Sequence, residues 1–224
     1  MKGSLQREWF SGKVIPIGFW TFFLAAKIVA LRSHGASVQQ NGLTRESGLE
    51  IANDLLTLGF FALVLVAYLT RSQAVDRARG FRERIYPMLV FFGGVAGVFV
   101  LQFADMPPRF NLPWQGVPIS IAGLAFSVWA LWHLRGSFSI MAEARRAVTT
   151  GPYRLVRHPL YLGEALTMLG LCLRLGTTTA LVFWATFNAL QLGRAAVEER
   201  KLTRQLADYG VYRKQTPFII PGLR

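Results

Sequence analysis

The strongest constraint in this chain is the grouping of its apolar residues. They fall in six blocks, at about residues 14–31, 51–69, 85–104, 117–134, 160–175 and 177–193, with the charged residues between them. A helix crosses a bilayer with roughly 20 mainly apolar residues, in a usual range of about 17–25. Only a segment that bonds its own backbone N–H and C=O groups survives there, because no water is present to do so. The first four blocks meet that length. The last two are short and joined by a few residues, which predicts a tight helical hairpin. The sixth runs on into AAVEERKLTRQLADYG (195–210), a charged extension that would carry the helix out of the bilayer. The expected fold class is all-α, a polytopic membrane protein with about six transmembrane helices.

The chain carries a net charge of +13, which by itself would admit nucleic acid as a partner. The placement of the charges excludes that reading. Segments 1–13, 70–84, 135–159 and 194–224 hold 20 of the 25 basic residues. The alternating segments hold only Arg32, Arg45, Arg109 and Arg174, and Lys27 lies within the first block. By the positive-inside rule this predicts six spans with both termini cytoplasmic, in a multi-pass integral membrane protein. MKGSLQREWFSGK, with acid and base before the first apolar run and no small-residue cleavage site after it, is read as leading into a retained span. Cys172 is the one cysteine, so neither a disulfide framework nor a cysteine metal site is expected within one chain. No metal is expected. Arginine outnumbers lysine twenty to five, a bias of GC-rich bacterial genomes, and the expected location is a bacterial cytoplasmic membrane. Lys27 and Asp54 are expected to snorkel to the interface. Gly93 and Gly97 form a small-xxx-small pair suited to close helix packing.

The polar residues concentrate between about Arg145 and Pro221. In TTGPYRLVRHPLYLGE (149–164), Pro159 suits a first helical turn, where its missing N–H costs nothing. His158 then sits at the helix N-terminus, flanked by Tyr153 and Tyr161, with Gly151 and Gly163 allowing close approach. Rings, a helix N-terminus and small residues together suit a flat heteroaromatic ligand with a polar tail; a juxtamembrane anchor of Arg, Tyr and His suits the same residues. Asn188, Gln191, Arg194 and Glu198 recur at helical spacing on one arc of the sixth block. A polar stripe at bilayer depth must face protein or a water-filled cavity, although Arg194 and Glu198, four apart, can also simply pair. The tail ADYGVYRKQTPFIIP (207–221), with Tyr209, Tyr212, Pro217 and Pro221, is expected to turn back and close a cavity from the cytoplasmic side.

GPYRLVRHPLY, then EERKL, YGVY and TPFIIP in that order, resemble the isoprenylcysteine carboxyl methyltransferase family and its relatives among phospholipid-amine methyltransferases. The resemblance covers roughly residues 136–221. It implies a cofactor, S-adenosyl-L-methionine, bound by Tyr153, by His158, Pro159, Leu160 and Tyr161, by Glu198, and through the backbone of Arg145, Arg146, Ala147 and Val148. It also implies that Arg194, one turn before Glu198, faces the substrate as the catalytic residue. The chain departs from the family in having Leu206-Ala207 where Phe-Gly is usual, and in a shorter loop before 145. The domain reading that follows is residues 1–135 as N-terminal transmembrane helices forming a substrate-access scaffold. Residues 136–224 form a C-terminal cofactor-binding and catalytic region on the cytoplasmic face, including the helical hairpin.

The expected activity is S-adenosylmethionine-dependent methyl transfer to a lipid-like or membrane-accessible acceptor, an isoprenoid-linked carboxylate among the candidates. A carboxylate nucleophile is already ionised and needs no base, whereas an amine or thiol would need a proton acceptor. There is no Gly-x-Gly-x-x-Gly and no alternating strand–helix pattern, so a Rossmann-type cofactor domain is excluded. The rival readings are an NADPH-dependent membrane reductase of the sterol reductase type, whose motif shares the Gly163-Glu164 ending, and a non-catalytic membrane scaffold.

Overall fold

The structure is a computed structural model describing residues 14–222 except 71–73, 75, 105, 111 and 144–146. Seven α-helices follow one another among the described residues: α1 (Ile15–Asn41), α2 (Arg45–Leu69), α3 (Tyr86–Phe103), α4 (Pro113–Leu134), α5 (Pro159–Leu175), α6 (Thr178–Gln205) and α7 (Tyr209–Gln215). A π-helical turn, Phe81–Ile85, leads into α3. Short 3-10 turns lie at Arg135–Ser137 and Gly151–Arg154. No strand forms among the described residues.

Four segments, Pro16–Gln40, Arg45–Leu69, Phe81–Phe103 and Gln115–Ser137, are long and apolar enough to cross a membrane. Six were expected from the sequence. The difference lies in α5, which has 17 residues, and in α6, whose 28 residues include the charged second half. The hairpin itself forms as expected. Gly176, in the left-handed region at φ 67°, ends α5, and Thr177 caps α6 by accepting from the Ala180 N–H at 3.1 Å. The α1–α2 turn uses the same devices: Gly42 at φ 80°, then Thr44, whose hydroxyl accepts from the Ser47 N–H while the Ser47 hydroxyl accepts from the Thr44 N–H.

Small residues set the helix packing. A Cβ on Gly123 would lie 2.5 Å from the Thr167 nitrogen and 2.7 Å from the Gly163 oxygen, and one on Gly116 would lie 2.5 Å from the Gly170 oxygen. Helices α4 and α5 therefore meet backbone to backbone along the Gly116/Gly170 and Gly123/Gly163 contacts. On α3 the small face is Gly94 and Gly97, against the Phe187 and Phe183 rings of α6, while nothing stands near a Cβ on Gly93. Of the small pair read from the sequence, Gly97 packs as expected and Gly94 takes the place of Gly93. Lys27 also differs from expectation. It turns inward and pairs with buried Asp54, which His34 Nδ1 also contacts at 2.7 Å, pinning α1 to α2. Pairing removes the cost of burying the carboxylate alone. The core joins Trp20, Val64, Tyr68 and Leu131 of α1, α2 and α4 to Phe138, Ile140, Tyr153 and Leu160. The segment around the sequence motif is therefore part of the main core.

Candidate active site

The motif segment folds through three local decisions. Gly151 takes φ 60° beside the His133 ring, where a Cβ would collide. The turn that follows buries Pro152 and Tyr153. His158 precedes a proline and so leaves the helical region (φ −122°, ψ 58°), and Pro159 opens α5. The tail then returns onto this segment, as expected. The N–H groups of Arg157 and His158 donate to the carbonyls of Pro217 (2.9 Å) and Phe218 (3.3 Å), and the Tyr212 hydroxyl donates to the Tyr153 carbonyl at 2.6 Å. The Phe218 ring meets His158 edge-on, 4.9 Å between centroids.

These contacts border a partly open cavity of about 180 Å³. A water needs roughly 10–15 Å³ on this measure, so the space is ligand-sized. Its wall has two chemistries. One end is apolar and aromatic, with Trp20, Phe60, Phe91, Leu134 and Phe138. The other is polar, with Tyr153, His158, Tyr161, Glu164, Arg194 and Glu198, and Tyr209 and Tyr212 beside them. The rings of His158 and Tyr161 are parallel to within 9°, 5.4 Å apart. The Arg194 guanidinium lies 5.3 Å from the Tyr161 centroid. Burial pushes the phenols of Tyr153, Tyr209 and Tyr212 well above the usual range. The Glu198 charge pushes Tyr153 the same way, so these hydroxyls stay neutral.

Adjacent acids on α6 have different surroundings. Glu198 Oε2 accepts from the Tyr161 hydroxyl at 2.9 Å. Its Oε1 has no partner among the described residues and is open to the cavity. Glu199 is buried behind the wall. It lies 3.1 Å from His158 Nε2 and from Arg157 Nε, and 3.3 Å from Arg213 Nε. The Arg157 contact is an ion pair without a directed hydrogen bond, since that N–H finds no acceptor in line. Glu199 thus braces the start of α5 and the end of α7 against α6.

Of the residues expected at the site, Ala147, Val148, Tyr153, His158, Leu160, Tyr161, Arg194 and Glu198 all line the cavity. Pro159 is buried at the first turn of α5, supporting the wall without facing the space. Arg145 and Arg146 lie outside the described residues. Arg194 does not pair with Glu198. Its Nη2 donates to the Ile140 carbonyl at 2.7 Å, and its Nη1 to Gln191 Oε1 at 3.3 Å. Asn188 leaves the stripe, because its amide bonds back to the Trp184 carbonyl of its own helix. Sequence reasoning missed Glu164 and the aromatic end. An acid inside the apolar run LGEALTML, three residues after Tyr161, was the available signal; Trp20, Phe60 and Phe91 carried none.

Residues 113–209 match the family model described as phospholipid methyltransferase. The match runs from the start of α4 to the start of α7 and so takes in the polar end of the cavity. The nickel-cobalt-cadmium resistance protein NccN of Alcaligenes xylosoxydans xylosoxydans is 27% identical over 109 residues, 48% of this chain and 47% of that protein. The chain spans about half the length of this curated relative. The resemblance read from the motifs is therefore shown over this stretch: residues 113–209 match the phospholipid methyltransferase family, which is related to the isoprenylcysteine carboxyl methyltransferases.

Proposed function

We propose that this integral membrane protein transfers the methyl group of S-adenosylmethionine to a lipid-like acceptor that enters from the bilayer. One observation carries the reading: a single cavity is lined both by polar residues inside the matched region and by the rings of Trp20, Phe60 and Phe91 from α1, α2 and α3. The polar end suits this cofactor by its donor and acceptor set. Glu198 offers a free carboxylate oxygen to an ammonium group. The parallel faces of His158 and Tyr161 suit a purine or a positive sulfonium. Tyr153, Leu160, Ala147 and Val148 close the space around them, with Pro159 fixing the turn that presents His158, and Arg145 and Arg146 next in the chain. Bound there, S-adenosylmethionine supplies an electrophilic methyl group on a positively charged sulfur.

The chain's own task is then alignment. Displacement at a methyl carbon needs nucleophile, carbon and sulfur in line, and holding them so contributes roughly 7–11 kcal/mol in favourable cases. Arg194, fixed by Ile140 and Gln191, orients the acceptor. Residues 1–135 form the scaffold through which the acceptor arrives, and residues 136–224 form the cofactor-binding and catalytic region. Both termini and the cofactor entrance face the cytoplasm, in a bacterial inner membrane. Calorimetric titration of the purified protein tests the reading. S-adenosylhomocysteine is expected to bind and NADPH not to bind. Binding of NADPH alone would turn the assignment to a membrane reductase, and binding of neither would leave a scaffold.

A further inference from the structure

The cavity is lined by a second acid, one to which the cofactor reading assigns no role. Glu164 lies on α5 one turn beyond Tyr161 and lines the polar end. Its Oε2 accepts from Gln191 Nε2 at 2.9 Å. Its Oε1 has no partner among the described residues and is open to the cavity. Gln191 is held in one sense, because its carbonyl faces Arg194 Nη1 and its amide N–H faces Glu164. The amide therefore separates the guanidinium from the carboxylate, and no ion pair within 4 Å joins Arg194 to Glu164. An acceptor oriented by Arg194 thus arrives beside a carboxyl group that has no contact ion pair among the described residues. If the acceptor were itself a carboxylate, two like charges would meet in a cavity walled largely by protein, where repulsion is less screened than in bulk water.

We propose that Glu164 is the proton acceptor of the methyl transfer, so that the acceptor carries a protic nucleophile, an N–H, S–H or O–H group, on an apolar chain. This rests on the methyltransferase reading of the same cavity. In the step, the acceptor's proton passes to Glu164 Oε1. The lone pair this leaves on the acceptor atom forms the bond to the methyl carbon. The carbon–sulfur bond breaks with its electrons returning to sulfur, which leaves as the neutral thioether S-adenosylhomocysteine. Glu164 then releases its proton to water. Gln191 is the positioning residue, because it keeps Oε2 occupied and Oε1 presented. The apolar chain lies along Trp20, Phe60 and Phe91.

The test uses the full chain in detergent with labelled S-adenosylmethionine and three probes of equal chain length, dodecylamine, dodecanethiol and dodecanoate. S-adenosylhomocysteine affinity is measured on every variant. The wild type is expected to methylate the amine or the thiol and not the acid. Glu164→Gln is expected to lower kcat/KM by about 100-fold or more, within the usual range for loss of a general base, and to abolish the acid limb of the pH–rate profile. Its affinity for S-adenosylhomocysteine should stay within threefold of wild type, which also reports that the site has folded. Gln191→Glu, which removes the amide donor, should shift the same pH limb without altering that affinity. Preference for dodecanoate, or a Glu164→Gln variant with wild-type turnover and pH profile, overturns the proposal while leaving the methyltransferase reading intact. Loss of S-adenosylhomocysteine binding by the wild type overturns that reading itself and this proposal with it.

Discussion

Replacing Glu199 by Gln should lower the thermal stability of the protein far more than the same change at Glu198. Glu199 is 5% exposed and meets three cationic or imidazole groups, at 3.1, 3.1 and 3.3 Å. Removing one partner of a buried ion pair costs about 3–5 kcal/mol, because the remaining charge is stranded. Here the stranded group is Arg157, 11% exposed at its side chain. Arg213 is half-exposed and solvent screens its share, which is worth well under about 1 kcal/mol. The glutamine oxygen can still accept from one donor, so the lower end, about 3 kcal/mol, applies. For a chain of this length that corresponds to a fall of about 6–12 °C in Tm. Intrinsic tryptophan fluorescence on heating in detergent measures it. Glu198→Gln keeps an amide oxygen that can accept from the Tyr161 hydroxyl and strands no cation, so it should melt within about 2 °C of wild type. Equal melting of the two variants, or a Glu199→Gln protein as stable as wild type, would refute the argument that the second acid is the brace.

Three further outcomes follow from the same geometry. Glu198→Gln should weaken S-adenosylhomocysteine by about 10- to 150-fold, the loss of a charged hydrogen bond worth about 1.5–3 kcal/mol, as read by calorimetry. Gly123→Ala should destabilise by about 1–3 kcal/mol, because its Cβ meets backbone atoms of α5, whereas Gly93→Ala should be neutral; the two melting curves decide it. Cysteine-accessibility labelling at position 40 should report the outside and at position 77 the inside, and labelling of both from one side would remove the proposed topology.

The helices were legible where one physical rule dominates. Long apolar runs with charged borders placed α3 and α4 closely, whereas α1 runs on to Asn41 and α2 begins at Arg45, well beyond the apolar blocks 14–31 and 51–69 that announced them. Pro159 and the Gly176-Thr177 turn marked the α5–α6 hairpin, because each has one conformational use. What sequence periodicity could not rank was contact. Gly94 faces the Phe187 ring and Gly93 faces nothing near, a rotation of 100° about α3 that both small residues permit. Lys27 likewise had two stable answers, an interface or a buried acid, and only the placement of Asp54 on the next helix decides between them.

The site follows the same division. Glu198 and Glu199 are chemically identical and neighbours on one helix, so a turn of 100° sends one into the cavity and the other behind its wall. Nothing in the local sequence chooses between them; the family resemblance pointed to the first acid, and the geometry gives the second a different task. Arg194 shows the limit of spacing rules. It stands four residues before Glu198, the separation for a helical ion pair, yet its guanidinium is held by Ile140 and Gln191. The choice is made by the carbonyl of Ile140, which a folded loop far from α6 in sequence brings within 2.7 Å. Glu164 is the opposite case. Its position three residues after Tyr161 puts both on one face of α5 by helix geometry alone, so the acid could have been read beside the tyrosine from the outset. Its open oxygen could not, because that depends on Gln191 reaching across from α6 to occupy only one of the two.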